Sequence, residues 1–194
     1  MRLLVMFGPP SVGKMTVGRA VVARSGFHLF HNHSVLEPLL EVFEFGTPPF
    51  MRLLGEFRRR LITEAAEWGV DLILTFMWPL ELEEDANEVS EYISPYVEAG
   101  AVVSFVELFA DLDTRLERNR TEHRLAEKRS KRDVEWSDGN VRELERHVMN
   151  TRSGDGAAAT PGERLLAAHR HLRLDNTDLS ADTAAEVILE WLDA

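Results

Sequence analysis

The first residues of the chain combine a short apolar run, a glycine-containing loop and the beginning of a helical pattern. Residues 3–7 are consecutive apolar residues that end at Gly8, as expected of a buried strand in a parallel sheet. Beyond the loop, Val17, Ala20 and Val21 have the spacing of one helix face. Parallel strands need a crossover connection, which is usually a helix. A strand that leads through a short loop into a helix therefore predicts an α/β fold.

The same alternation of strand and helix continues along the chain. Strands are predicted at residues 3–7, 27–30, 70–76, 101–108 and 172–174. Helices are predicted at residues 12–24, 35–45, 48–68, 80–99, 111–120 and 164–169, and from a cap at Ser180 to residue 191. Right-handed crossovers between such strands give a three-layer α/β/α sandwich around a mostly parallel, five-stranded sheet. We expect a single domain over residues 1–194, with a helical subdomain at 34–69 and a mobile segment at about 120–155.

The composition excludes several classes of protein. The chain has 194 residues, with 22 Lys and Arg against 33 Asp and Glu, which gives a net charge of −11. It has no cysteine, which excludes a disulfide scaffold, a cysteine nucleophile, an iron–sulfur cluster and a thiolate zinc site. No apolar run approaches the length of a membrane span, and the acidic balance argues against coating a nucleic acid. We expect a cytoplasmic monomer or homodimer whose partners include neither a membrane nor a nucleic acid.

The loop from Gly8 to Thr16 matches the pattern G-x-x-x-x-G-K. Glycines at such positions let the backbone approach a ligand closely or adopt a positive φ, so that backbone N–H groups surround an anion. The positive end of the following helix points to the same place. Lys14 is predicted to contact the β- and γ-phosphates of a nucleotide. The residues predicted to bind the phosphate chain are Ser11, Val12, Gly13, Lys14, Met15 and Thr16.

One residue of this loop departs from the usual pattern. A Ser or Thr hydroxyl usually follows the lysine and binds Mg²⁺, whereas here Met15 follows it and Thr16 comes next. A thioether is a poor ligand for a hard cation. We therefore expect Thr16 to be the candidate ligand for Mg²⁺, and the departure disfavours GTPases and motor-type ATPases.

The loop resembles that of a known family of enzymes. Residues 8–16 resemble the phosphate loop of adenylate kinases, and residues 15–18, Met-Thr-Val-Gly, resemble shikimate kinases and related bacterial small-molecule kinases. The resemblance implies a P-loop kinase fold, ATP and Mg²⁺ as cofactors, and transfer of the γ-phosphoryl group of ATP to a small-molecule acceptor. That acceptor would carry a hydroxyl or a phosphate. Residues 34–69 would lie on the acceptor side, and residues 120–155 would form a helical lid.

Residues 115–132 contain eight Lys and Arg but only three acidic residues, although the chain as a whole is acidic. This basic segment is either a solvated amphipathic helix with paired charges, or part of a lid whose arginines neutralise phosphate charge during transfer. The resemblance implies stacking on adenine by Arg118 or Arg120. It also implies contact with the transferred phosphate by Arg124, Arg129 or Arg132, of which Arg124 and Arg129 are the catalytic candidates.

The loop after the last strand, residues 175–178, is a second candidate for contact with the base. By the resemblance, Thr177 would border the nucleotide there. A polar turn that caps the final helix explains the same residues, and the two interpretations are compatible.

The second strand ends in His31-Asn32-His33, where shikimate-type kinases have an aspartate. Ligands of doubly wound sheets bind beyond the carboxyl ends of the strands. His31 is therefore predicted to be a catalytic group, acting as a base near neutral pH or holding the acceptor, and His33 to be an acceptor-binding group. Polar residues at a strand end, or two ligands of a zinc site that shows no evident third ligand, are the alternatives.

The rest of the acceptor site is less well defined by the sequence. Arg52 and Arg58 are predicted to hold an anionic acceptor, among aromatic residues that are mostly core. The third strand ends without an acidic residue for the metal, and Glu37 and Glu107 are the possible substitutes.

Three functions follow from these patterns. The first is an ATP-dependent phosphotransferase acting on a small molecule. The second is a nucleotide-binding regulatory protein with weak or no transferase activity, which the departures at Met15 and at the strand ends favour. The third, nucleic-acid binding through the basic segment, is opposed by the net charge of −11.

Overall fold

The computed structural model describes residues 1–31, 33–121, 134–152 and 158–194. It contains a five-stranded sheet in the order β2-β3-β1-β4-β5, in which all neighbouring strands are parallel. The strands are β1 Arg2–Phe7, β2 His28–His31, β3 Leu72–Phe76, β4 Val102–Phe109 and β5 Arg170–Asp175. All five predicted strands are confirmed, with boundaries that move by three residues or fewer.

Helices connect the strands and cover both faces of the sheet. They are α1 Lys14–Val22, α2 His33–Leu40, α3 Pro48–Glu67, α4 Glu83–Glu98, α5 Leu112–Asn119, α6 Val134–Glu143, α7 Pro161–Leu166 and α8 Ala181–Asp193, with a 3₁₀ turn at Leu144–Arg146. None of the described helices is long and apolar enough to cross a membrane.

The side chains of β1 divide the interior into two cores, because alternate residues of a strand point to opposite faces. Leu3, Val5 and Phe7 pack into a core formed mainly with α3 and α4, whereas Leu4 and Met6 pack into a core formed with α1 and α8. Two cores separated by one sheet make the predicted three-layer α/β/α sandwich.

Several helix bounds differ from the sequence prediction. Helix α1 begins at Lys14 rather than at residue 12, α2 covers His33–Leu40 rather than 35–45, and α7 covers Pro161–Leu166 rather than 164–169. Helix α4 begins at Glu83 rather than at residue 80, because Leu80 is buried and its backbone N–H donates to the carbonyl of Val148. Thr47 directly precedes α3, but its hydroxyl donates to the carbonyl of Glu44 and accepts no hydrogen bond from the helix.

Residues 121–160, which are polar and show little periodicity in the sequence, contain the helix α6 and the 3₁₀ turn. Of these, residues 122–133 and 153–157 lie outside the described part of the chain. The limits of the lid and of the helical subdomain stay predictions.

Candidate active site

The loop between β1 and α1 has a backbone that favours glycine at two positions. Gly8 and Gly13 have φ angles of +136° and +106°, and Ser11 has a φ of +63°. Helix α1 begins at Lys14, directly after Gly13. In any helix the N–H groups of the first turn have no partner within the helix, and a ligand can accept hydrogen bonds from them.

The two glycines also lie close to other parts of the chain. A Cβ atom on Gly8 would lie 2.3 Å from the carbonyl oxygen of Leu108 in β4. A Cβ atom on Gly13 would lie 3.4 Å from Nδ2 of Asn176, which follows β5. The loop therefore rests against β4 and the residue that follows β5. A side chain does not fit at Gly8, whereas at Gly13 the positive φ rather than the space disfavours one.

The side chain of Lys14 folds back across this loop. Its Nζ donates hydrogen bonds to the carbonyl oxygens of Gly8, at 2.6 Å, and Pro9, at 2.8 Å. The ammonium group thus lies at the start of the loop that leads from β1 into α1. A positive charge beside a helix N-terminus favours an anion there.

The loop opens into a cavity of about 780 Å³. The sheet order places β2 and β3 on one side of β1, and β4 and β5 on the other. The cavity accordingly has two halves that meet at the loop. The β4–β5 half contains Arg118 and Asn176, and the β2–β3 half contains His31 and Thr75.

Arg118 and Asn176 fix the loop from the β4–β5 half. Arg118 donates to the carbonyl oxygens of Val12 at 3.3 Å, Asn176 at 2.7 Å and Thr177 at 3.1 Å. The Nδ2 of Asn176 donates to the carbonyl of Val12 at 2.9 Å. The guanidinium predicted to stack on a base is thus held in the wall of the cavity by three backbone carbonyls.

Thr177, which the resemblance predicts to border the nucleotide, contacts the start of α5 instead. Its hydroxyl accepts a hydrogen bond from the N–H of Asp111, at 3.2 Å, and Thr177 is not among the described residues that line the cavity. Its neighbour Asn176 lines the cavity instead. The sequence indicated this polar loop but not which of its residues faces inward.

Arg120 is held by an acidic partner outside the lining of the cavity. Its Nε and Nη2 lie 2.8 Å and 2.6 Å from Oδ2 of Asp138. Burial would raise the pKa of Asp138, but the hydrogen bonds from Asn119 and Arg120 outweigh it and lower that pKa. Arg120 therefore joins α5 to α6, and it is not among the described residues that line the cavity.

The β2–β3 half brings together the residues predicted at the end of the second strand. His31 is the neighbour of Thr75 across the parallel pair β2 and β3, and both line the cavity together with His33. Thr75 was not predicted, because a threonine within an apolar strand carries no local signal of function. The apolar residues lining this half are Leu36, Leu40, Phe45, Phe76 and Met77.

The arginines predicted to hold an anionic acceptor lie elsewhere. Arg52 is exposed on α3, and neither Arg52 nor Arg58 is among the described residues of the cavity. Arg58 is 8% exposed, and its Nη1 lies 3.9 Å from Oε1 of Glu88 on α4. Arg124 and Arg129 fall within residues 122–133, outside the described part of the chain.

Glu107, a predicted substitute for the missing metal ligand, is fully buried and already bonded. It accepts from the backbone N–H and the hydroxyl of Thr151, at 2.9 Å and 2.7 Å, and from Asn150 at 3.0 Å. Burial would raise the pKa of Glu107, but hydrogen bonds from His171, Thr151 and Asn150 lower it. Glu107 thus anchors residues 150–151 to β4.

The donors available for Mg²⁺ are correspondingly few. Within the described ranges, no group of three or more His, Asp or Glu is arranged to hold a metal ion. Thr16 lines the cavity and offers one neutral oxygen, and no carboxylate is among the described lining residues. These residues do not form a magnesium site by themselves, since protein-held Mg²⁺ usually has at least one carboxylate ligand.

No family model and no curated protein sequence matches the chain. Solved structures do resemble it. A sugar kinase from Janibacter sp. HTCC2649 has 14% identity and a TM-score of 0.57, over 99% of this chain and 94% of the other.

Two further kinases with bound ligands have the same fold. Shikimate kinase from Acinetobacter baumannii in complex with shikimate has 17% identity and a TM-score of 0.57, over 98% of this chain and 92% of that enzyme. The APS kinase of Mycobacterium tuberculosis in complex with AMPPNP and APS has 17% identity and a TM-score of 0.53, over 100% and 98%. The chain therefore has the fold of the P-loop small-molecule kinases.

Proposed function

We propose that the protein is an ATP-dependent phosphotransferase that moves the γ-phosphoryl group of ATP to a small-molecule acceptor. One observation carries this proposal: the phosphate loop with Lys14 opens into a cavity that continues to His31 and Thr75 at the ends of β2 and β3. A cavity of about 780 Å³ is within the range of sites that enclose small ligands.

The β4–β5 half would bind the nucleotide. The N–H groups of residues 11–16 would surround its phosphates, and Lys14 would exchange its two carbonyl partners for the β- and γ-phosphate oxygens. Arg118 and Asn176 hold the backbone of Val12 and so preserve the shape of the loop. The base would lie against the wall that these two side chains form.

The metal would enter with the nucleotide. Because Thr16 supplies a single neutral oxygen, the phosphates and water would provide the remaining ligands of Mg²⁺. Such an ion neutralises charge that builds up on the phosphates during transfer.

The β2–β3 half would hold the acceptor. Phosphoryl transfer depends mainly on alignment and on neutralising charge, and this half ends at the loop where the γ-phosphate would lie. His31 would hold the acceptor hydroxyl and take its proton, and His33 would contribute to acceptor binding. Arg124 and Arg129 are proposed to approach the transferred group from the lid.

The experiment is a thermal-shift panel with ATP, ADP, GTP and AMP, each with and without Mg²⁺. A ligand at 100 times its Kd adds about 2.7 kcal/mol of stability, which raises the midpoint by about 5–10 °C in a chain of this size. We expect ATP or ADP to give this shift with the wild type and not with Lys14→Ala. Arg60→Ala, at an exposed position of α3, is the matched control and should behave as wild type. No shift with any nucleotide would overturn the proposal.

A nucleotide-binding protein with weak or no transferase activity is the second candidate function. The absence of a carboxylate among the described residues of the cavity favours it. Addition of an acceptor separates the two functions, because only a kinase releases ADP faster when its acceptor is present.

A further inference from the structure

The β2–β3 half of the cavity offers no fixed charge among its described residues. Leu36, Leu40 and Phe45 line it from α2 and the segment that follows, and Phe76 and Met77 line it from the end of β3. Its polar side chains are those of His31, His33 and Thr75. An anion placed in such a lining would lose hydration that no fixed positive charge replaces.

Three consecutive arginines of α3, Arg58–Arg60, are paired with carboxylates outside the described lining of the cavity. Arg58 lies 3.9 Å from Glu88, and the hydroxyl of Tyr92 donates to the same carboxylate. Burial and Glu88 raise the pKa of Tyr92 to about 12, so its hydroxyl stays a donor. Arg58 is therefore bound into the contact between α3 and α4.

The next two arginines of α3 are paired in the same way. Arg59 lies 4.0 Å from Glu91 of α4, and Arg60 pairs with Glu64 one turn along α3. These three arginines thus pair with carboxylates of α3 and α4 and contribute no described residue to the lining of the β2–β3 half.

An aromatic ring lies exposed in this half of the cavity. Phe45 is 69% exposed although it lines the cavity, and it packs edge-on against the fully buried Phe50, with 5.3 Å between ring centroids. A ligand with an apolar body would cover this ring and gain the free energy of burying it. Leu36 and Leu40 extend the same apolar surface.

We infer that the acceptor is an uncharged alcohol with an apolar body, which lies against Phe45 and directs its hydroxyl to His31 and Thr75. The inference rests on the proposed function and narrows the acceptor to a hydroxyl compound. The alcohol oxygen bonds to the γ-phosphorus as the bond from that phosphorus to the β–γ bridging oxygen breaks. The proton passes to the imidazole of His31, and the products are a phosphate monoester and ADP.

The test uses the full chain saturated with ADP, so that the phosphate loop is occupied. The two probes are 2-naphthaleneethanol and 2-naphthaleneacetate, which share one ring system and differ in charge. Binding of each is measured by calorimetry. We expect the alcohol to bind at least about tenfold more tightly than the carboxylate, because the lining replaces water around an apolar body but not around an anion.

Two variants locate the binding. Phe45→Ala should weaken binding of the alcohol by about tenfold, through lost apolar contact. Phe57→Ala is the control, because Phe57 is an exposed aromatic residue of α3 outside the described lining, and it should bind the alcohol as wild type does.

The outcomes separate the inference from the proposed function. Failure of ADP to bind contradicts the proposed function itself. If ADP binds, three results overturn the inference and leave the nucleotide site intact: equal or tighter binding of the carboxylate, no binding of the alcohol up to its solubility, or unchanged binding in Phe45→Ala.

Discussion

The hydroxyl of Ser11 donates a buried hydrogen bond of 3.2 Å to Oδ1 of Asn119, a residue 108 positions away in the sequence. The same oxygen accepts from Ser137 of α6 at 3.1 Å, and Nδ2 of Asn119 donates to Asp138 at 2.7 Å. One side-chain amide thus joins the phosphate loop, α5 and α6. Ser11, which has a positive φ, is thus hydrogen-bonded to the end of α5, within the basic segment, and through Asn119 it is linked to α6.

Asn119→Ala should destabilise the protein and weaken nucleotide binding together. The substitution leaves Ser11, Ser137 and Asp138 buried without this partner, and we expect a loss of about 2–3 kcal/mol in the free energy of unfolding. Denaturant unfolding measures the stability, and titration with ADP measures the affinity. Glu117→Ala, at an exposed position of α5, should change neither. Unchanged ADP affinity in a destabilised Asn119→Ala would contradict the coupling.

Gly8→Ala should disrupt the phosphate loop more than other glycine substitutions. The new Cβ would lie 2.3 Å from the carbonyl oxygen of Leu108, at a φ of +136°. Strain of this kind costs about 2–4 kcal/mol, so the midpoint of thermal unfolding should fall and the shift with ADP should disappear. Gly26→Ala is the matched control, because a Cβ there meets nothing within 4 Å. Equal behaviour of the two variants would show that the loop tolerates a side chain.

Much of the fold could be predicted from the sequence, because the central strands are buried on both faces. Every residue of β3 is buried, and in β1 only Arg2 is not. Strands in this environment read as continuous apolar runs. The phosphate loop could be predicted for a similar reason, since Gly8 and Gly13 are required by local backbone geometry.

The parts of the site that were missed depend on contacts between distant residues. Asn119 and Asn176 stand among polar residues in the sequence. This local pattern does not reveal the partners that their side chains meet in the fold. The arginines at 58–60 show the same limit. Helical periodicity places them around α3, but only the position of α4 decides that Arg58 pairs with Glu88.

Glu107→Gln should lower stability without changing the effect of Mg²⁺ on nucleotide binding. A glutamine side chain has one acceptor oxygen where the glutamate carboxylate has two. Some of the buried hydrogen bonds from Asn150 and Thr151 are therefore lost. We expect a loss of about 2 kcal/mol at pH 7. ADP titrations with and without Mg²⁺ should give the same ratio of affinities as wild type. If the ratio of ADP affinities with and without Mg²⁺ changed in the variant, Glu107 would instead be a group that acts on the metal.

Glu163 in the first turn of α7 accepts hydrogen bonds from both Arg152 and Thr160, and its ionisation should control stability in acid. Its carboxylate accepts from the backbone N–H groups of Arg152 at 3.0 Å and Thr160 at 2.8 Å. Burial would raise the pKa of Glu163, but these hydrogen bonds, with those from the side chains of Thr160 and Arg152, lower it from 4.5 to about 2. A carboxyl with a lowered pKa stabilises the fold above the unfolded-state value and loses that contribution as the pH falls through the folded-state value.

Glu163→Gln should therefore be less stable than wild type by about 2 kcal/mol at pH 7, after allowance for partial solvent screening. The difference should be constant above about pH 5 and should shrink between pH 4.5 and about 2, as the wild-type carboxyl is protonated. Urea unfolding at a series of pH values measures this difference. Glu84→Gln, at an exposed position in the first turn of α4, is the control and should give no such pH-dependent difference. A stability gap that stays constant down to pH 2.5 would show that the side-chain shape of Glu163, rather than its charge, holds Arg152 and Thr160 together.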